Sequence, residues 1–302
     1  MLGSMTDHTQ ATAVSPLKST RRKAPTKVHS PSLIPLSLAR DNRFTHLIET
    51  VEPTRSREEL VLSARNTRAF LDLLEEFKQG DALRRHGLQV RSKLLFCGPP
   101  GCGKTVTAEV FAREVGLPLL VAKLDSIISS FLGETASNLR KLFEEADRHA
   151  SVLFLDEFDA LARTRGDSAE HSEMRRVVNS LLMLIDRYNG RGFVIAATNL
   201  EKSLDEAVWR RFDDVIVFDM PTERQIKRLV ELKTRNFPAS FEIADHMKRL
   251  VGFSYAEIER ICLTAIKRSV LRHSQTIFKA EFDLAISEAR RRQEVRNRLH
   301  QT

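Results

Sequence analysis

Short apolar runs alternate with stretches of three- and four-residue apolar spacing along the middle of the chain. KLLFC (93–97), PLLVAK (118–123), VLFL (152–155), FVIAA (193–197) and the run at 215–218 are too short for core helices and read as strands. Between them, residues 104–115, 134–149 and 174–187 carry helical periodicity; Leu139, Leu142, Phe143 and Ala146 share one face of the second. Strands alternating with helices predict a parallel sheet covered on both faces. Upstream, Ala69, Phe70, Leu73, Leu74 and Phe77 mark a helix within 61–86, with Gly80 as a stop. Beyond Met220-Pro221 the strand pattern ends. Residues 222–236, 243–251, 255–272 and 278–292 read as helices, the third opened by Ser254 as N-cap with Glu257 three residues on. The expected architecture is α/β, a parallel five-stranded sheet sandwiched by helices and followed by a small all-helical domain.

Composition divides the chain further. Residues 1–43 are rich in Ser, Thr and Pro, lack apolar periodicity, and are expected to be a disordered basic tail. Its first four residues resemble a remnant of cloning, with the native start at Met5, and its prolines argue against an amphipathic transit peptide. A helical segment (44–90) leads into the α/β core (91–220), then the helical domain (221–292) and a basic C-terminal tail (293–302). The net charge of +8 resides in the two ends: 1–43 carry +5 and 288–302 carry +3, leaving the body neutral. A neutral body argues against a nucleic-acid groove, which needs clustered Lys and Arg. No apolar run approaches the roughly 20 residues that a membrane helix requires. Cys97, Cys102 and Cys262 show no metal-ligand spacing, which fits a reducing, cytoplasmic setting.

Three segments carry chemistry. GPPGCGKT (98–105) follows a strand, opens a helix and fits G-x-x-x-x-G-K-[ST], which makes the sheet a P-loop NTPase sheet. Its backbone, from Pro99 and Pro100 through Gly101, Cys102 and Gly103 to Val106, would cradle phosphates; Lys104 would reach the β/γ-phosphates and Thr105 would ligate Mg²⁺. VLFLDEFDA ends a strand in Asp156, suited to a water-mediated Mg²⁺ contact, and Glu157, suited to polarising water; Asp159 is expected only to cap the next helix. Asn199, closing the fourth strand, either orients the lytic water or takes a left-handed turn position. Arg210 and Arg211 either stabilise transition-state charge or pair with Asp205, Asp213 or Asp214. Ser130-Phe131-Leu132-Gly133-Glu134 taken alone reads as a core loop.

The segments GPPGCGKT, FLGETASNLRKLFEEA, VLFLDEFDALARTRG, VVNSLLMLID, AATN, LDEAVWRRFDD and LVGFSYAEIERICLTA occur in the order found in AAA ATPases, so residues 58–292 resemble that family. The likeness is closer to stand-alone, single-ring bacterial ATPases, and the doubled arginine resembles that of spastin and katanin. The resemblance implies ATP and Mg²⁺ as cofactors, Lys104 and Thr105 as the Walker A pair, Asp156 and Glu157 as the Walker B pair, and Asn199 as a water-positioning sensor. It implies that Arg210 and Arg211 enter the neighbouring subunit's site in a homo-hexameric ring. Phe131, Leu132 and Gly133 would form a pore loop gripping a polypeptide client, with Gly166–His171 as a second pore loop. Gly252 and Ala256 would pack the helical lid near adenine. Tyr255 replaces the family's usual Gly, which would alter the adenine pocket or lid angle, and Cys102 brings expected redox sensitivity. The leading expectation is a ring that remodels protein clients. The alternatives are an ATP-dependent switch controlling a protease or nuclease, and a nucleic-acid motor.

Overall fold

The computed structural model describes residues 48–124, 132–161, 169–199 and 206–299. Five parallel strands form its core: β2 (Lys93–Cys97), β3 (Leu119–Lys123), β4 (Val152–Asp156), β5 (Phe193–Thr198) and β6 (Asp214–Val217). The expected five-stranded sheet is corrected to six: β1 (Ile48–Val51) adds an antiparallel edge strand to β3, giving the order β1-β3-β4-β5-β2-β6. This edge strand lies inside the stretch expected to be helical. Only its end residues Ile48 and Val51 are half-buried, so four residues offer no apolar run to detect.

Strand pleating explains the continuous apolar runs. Leu94 and Phe96 of β2, Val152 and Phe154 of β4, and Phe193 and Ile195 of β5 point into one core with α1 (Ala64–Lys78) and α3 (Lys104–Val115). Their neighbours Leu95, Cys97, Leu153, Leu155, Val194 and Ala196 point into the opposite core with α4 (Leu132–Arg148) and α5 (Ala169–Arg187). Both faces are covered, so the buried stretches Leu94–Cys97, Val152–Leu155 and Phe193–Ala197 are apolar at every position, and polar residues stand only at strand ends. Between the sheet's strands also lie α2 (Gly80–Arg85) and the single-turn α6 (Glu206–Trp209). Gly80 does not stop the upstream helix: Gln79 caps α1 and Gly80 starts α2.

The C-terminal region is helical, as expected. It comprises α7 (Glu223–Thr234), a 3₁₀ turn at Ile243–His246, α8 (Met247–Leu250), α9 (Tyr255–Leu271) and α10 (Lys279–Leu299). Their own core is built from Ile226, Leu250, Phe253, Ile258, Ile261 and Phe282. The Ser254–Glu257 capping box opens α9 as the spacing implied. The stretch 293–299 is not a tail; α10 runs through it, because Arg, Gln and Glu are good helix formers and no Gly or Pro intervenes. Among the described residues no helix is long and apolar enough to cross a membrane.

Gly192 tests the sheet's tightness. A Cβ there would lie 2.0 Å from the Ser151 carbonyl oxygen, which already accepts from the Phe193 N–H where β4 and β5 begin. Gly192→Ala is expected to lower the unfolding free energy by about 1–3 kcal/mol, the usual overpacking cost. Urea denaturation measures it, and an unchanged midpoint would show that the strand ends have slack.

Candidate functional site

The chain leaves β2 between β5 and β6, the point where successive connections depart to opposite sides of the sheet, and such switch points gather ligands at the carboxyl ends of strands. Cys97 lies opposite Thr198, and the Gly98 N–H donates to the Thr198 carbonyl at 3.2 Å. A Cβ on Gly98 would stand 2.0 Å from the Phe218 carbonyl oxygen, so only glycine fits that approach. The loop then turns through Gly101 and Gly103 into α3, whose first N–H groups have no partner within the helix.

Lys104 is the first residue of that helix and is buried, with 7% of its surface exposed. Its Nζ donates to the Gly98 carbonyl at 2.6 Å, the Pro99 carbonyl at 3.1 Å and Asn199 Oδ1 at 2.7 Å. Burial pushes the ammonium below its ordinary pKa, and the three acceptors hold the charge in place.

Across the cleft, β4 delivers Asp156 at its carboxyl end. Glu157 follows with φ = 56°, a left-handed conformation that costs a non-glycine residue about 1–2 kcal/mol. Its N–H donates to Asp156 Oδ1 at 2.9 Å, which helps hold the strained turn. Asp159 does more than cap: it is buried, and its Oδ1 accepts from the Asn199 backbone N–H at 3.4 Å. The carboxylate segment and the asparagine are thereby tied together.

The helical region closes the third side. Ala256 N–H donates to the Gly101 carbonyl at 3.1 Å. Gly101 has φ = 74°, and a Cβ there would meet Ser254 Oγ at 2.8 Å, so loop and helix are in contact without slack. The open cleft between them is about 310 Å³ and gathers Pro100–Val106, Asp156, Glu157, Asn199, Tyr255 and Ala256. Backbone donors, a buried lysine and two acids facing one such space suit a polyphosphate with its counter-cation.

Residues 94–220 match the family model for the ATPase family associated with various cellular activities (AAA). The chain is also 55% identical over 246 residues to an uncharacterized AAA family ATPase, y4kL, of Sinorhizobium fredii, covering 81% of this chain and 74% of that protein. The chain belongs to the AAA family of ATPases.

More distant relatives include the ATP-dependent zinc metalloprotease FtsH of Halothermothrix orenii, 34% identical over 71% of this chain and 36% of its own length. The cell division cycle protein 48 homolog of Archaeoglobus fulgidus is 33% identical over 74% of this chain and 32% of its own length. The chain thus spans about a third of these two. Among the described residues no group of three or more His, Cys, Asp or Glu side chains is placed to hold a metal.

As an AAA ATPase the chain binds nucleotide and hydrolyses ATP. The structure brings Pro100–Val106, Asp156, Glu157, Asn199 and Ala256 to the cleft, while Gly98 and Pro99 do not face it and offer their carbonyls to Lys104. Gly252 is not among the residues facing the cleft; it occupies a left-handed turn (φ = 87°) leading to α9. Arg210 and Arg211 stand apart from it as well. Arg210 pairs with Glu206 at 2.5 Å and Arg211 with Asp186 at 3.0 Å. The acids nearest in sequence are otherwise engaged: Asp213 accepts from the Ser92 and Lys93 N–H groups, and Asp214 pairs with Arg91 at 2.5 Å. Phe131, Gly166 and Asp205 lie outside the described residues, and Leu132 and Gly133 begin α4.

Sequence motifs missed the segment 55–62. Arg55, Glu59, Leu60, Val61 and Leu62 all face the cleft, as do Lys233 of α7 and Glu259 of α9. Ser56–Glu59 is a capping box legible in hindsight. Leu60 and Leu62 pack on the sheet-side core while Val61 packs on the helical one, a division that no local pattern encodes. Cys102 is 4% exposed, and burial raises its thiol pKa, which disfavours the reactive thiolate.

Tyr255 packs against both the sheet-side core and the core of the helical region, and burial raises its hydroxyl pKa to about 12. A glycine there would lose this bridge. Tyr255→Ala is expected to cost about 2 kcal/mol, roughly half the loss for a fully buried aromatic. Denaturant unfolding of the nucleotide-free protein reads it, and a loss under about 0.5 kcal/mol would mean the two cores do not communicate through this ring.

Proposed function

We propose that the chain hydrolyses Mg²⁺-ATP at the interfaces of a homo-hexameric ring, single-ring in type, and uses the cycle to pull a polypeptide client past Phe131. Pro99–Val106 hold the phosphates, and Lys104 neutralises the β/γ oxygens. Thr105 and, through water, Asp156 are the residues that would hold Mg²⁺, whose charge supports phosphoryl transfer. Glu157 polarises the attacking water and Asn199 orients it, with Asp159 positioning Asn199 through its backbone N–H. Ala256 closes the adenine side, and Gly252 supplies the turn behind it. Leu132 and Gly133, which lie in the first turn of α4 rather than in a loop, follow Phe131 in the client-gripping segment.

The observation that carries the ring is the placement of the arginines. Phosphoryl transfer gains about 10³–10⁵-fold from a cation stabilising the transferring group. Besides Lys104, the cations facing the cleft among the described residues are Arg55, which pairs with Glu109 at 3.2 Å, and Lys233, which pairs with Glu259 at 2.5 Å. Arg210 and Arg211 sit outside their own cleft next to each other, and Arg210 is 73% exposed, as a spastin- or katanin-like finger for a neighbour's nucleotide should be. The client is proposed as a polypeptide because relatives such as FtsH are named for ATP-dependent proteolysis. No membrane or nucleic-acid partner is invoked, and three buried free cysteines suit a reducing cytoplasm.

ATPase rate per chain is expected to rise steeply with protein concentration and to plateau once sedimentation shows the ring complete. A flat rate across a range in which sedimentation shows monomers becoming rings would contradict action in trans. Phe131→Ala is expected to leave nucleotide binding near normal and to abolish ATP-dependent processing of an unfolded client. Unimpaired processing would favour the alternative, an ATP-dependent switch acting on a separate protease or nuclease.

A further inference from the structure

The second half of α10 has no core to serve. Its buried residues stop at Ile286, apart from the partly covered Ala289, and from Arg291 onward all but Gln293 are exposed through Leu299. Three of its polar side chains, Arg290, Gln293 and Arg296, nevertheless converge on one target, the segment Arg249–Glu257 that leads into α9. Arg290 Nη2 donates to the carbonyls of Arg249 and Val251, each at 2.8 Å, and its guanidinium lies 4.2 Å above the Phe253 ring. Gln293 Nε2 donates to the Gly252 carbonyl at 3.2 Å, and Gln293 Oε1 accepts from Arg290 at 3.0 Å. One turn further on, Arg296 donates to Glu257 Oε1 at 3.1 Å, while Glu257 Oε2 accepts from the Ser254 N–H at 2.8 Å.

We infer that Arg290, Gln293 and Arg296 are positioning residues for nucleotide binding, acting through this turn on the phosphate loop. The turn touches the loop at two points already described: Ala256 N–H bonds the Gly101 carbonyl, and Ser254 blocks any side chain at Gly101. The Gly101 carbonyl and the Cys102 N–H belong to one planar trans peptide, so they point in opposite directions. Engaging the carbonyl from α9 therefore fixes the direction of one phosphate-loop N–H. The guanidinium fork of Arg290 is suited to holding the turn, being planar, always charged, and able to satisfy two carbonyls while stacking on Phe253. An ordinary exposed pair such as Arg296–Glu257, with Arg296 54% exposed, adds little stability alone. Its value lies in geometry, because Glu257 also completes the capping box of α9 with Ser254.

The inference rests on the cleft being the nucleotide site, and titrating the wild-type full chain with a fluorescent ADP analogue in Mg²⁺ buffer tests that premise separately. In the same assay Arg290→Ala is expected to weaken binding about tenfold, within the range usual for coupling between sites. Gln293→Ala and Arg296→Ala, each removing one contact to the turn, are expected to lose about threefold, and Arg296→Lys to return to the wild-type value. A purely structural role would lower the melting temperature of the nucleotide-free protein and leave affinity within about twofold of wild type, which would overturn the inference. Should Arg290→Ala fail to fold, the two single-contact variants decide the matter by the same criterion.

Discussion

The register of β2 against β5 is the constraint on which the rest of the site depends. Cys97 opposite Thr198 means that the glycine-rich loop and Asn199 leave the sheet side by side. Lys104 can then bond Asn199 directly, and β4, aligned on β5 with Leu155 opposite Ala196, brings Asp156 to the same edge. Slipping one strand by a residue would turn its whole apolar set to the wrong core as well as misplace the loop. Fold and site are therefore specified by the same hydrogen bonds. The two dry faces of the sheet hold the register that the chemistry needs.

What the sheet does not supply comes from either end of the chain. Residues 55–62 and the helical region meet over the cleft, with Val61 packed on the helical core and Tyr255 on both cores. The cleft is thus lined by residues of both cores. A ligand can shift the helical region only through contacts that differ between its positions. Contact of α9 with Gly101 is one of these, and α10 sets where α9 begins.

Much of this was legible in the chain because both-faces burial writes continuous apolar runs, and because the phosphate loop and the Asp156–Glu157 pair are local in sequence. Features held by long-range contacts were not. β1 is an edge strand of four residues with two half-buried positions, so nothing marks it apart from a loop. Arg211 pairs with Asp186, 25 positions upstream, rather than with the neighbouring acids, which are taken by backbone N–H groups and Arg91. Asp159 looks like a cap in sequence; its tie to Asn199 spans 40 positions. The extension of α10 was hidden by its charge, since a run of arginines reads as a tail unless its partners are known.

The central claim is that each nucleotide is hydrolysed by residues of two chains. Mixing two inactive variants tests it most directly: Glu157→Gln, which keeps Arg210 and Arg211, and the double variant Arg210→Ala/Arg211→Ala, which keeps its own acids. In a mixed ring, some clefts with intact Glu157 face intact arginines. The account predicts ATPase activity in the mixture well above the sum of the two variants measured alone. A mixture as inactive as its components, with mixed rings verified by native mass spectrometry, would contradict it.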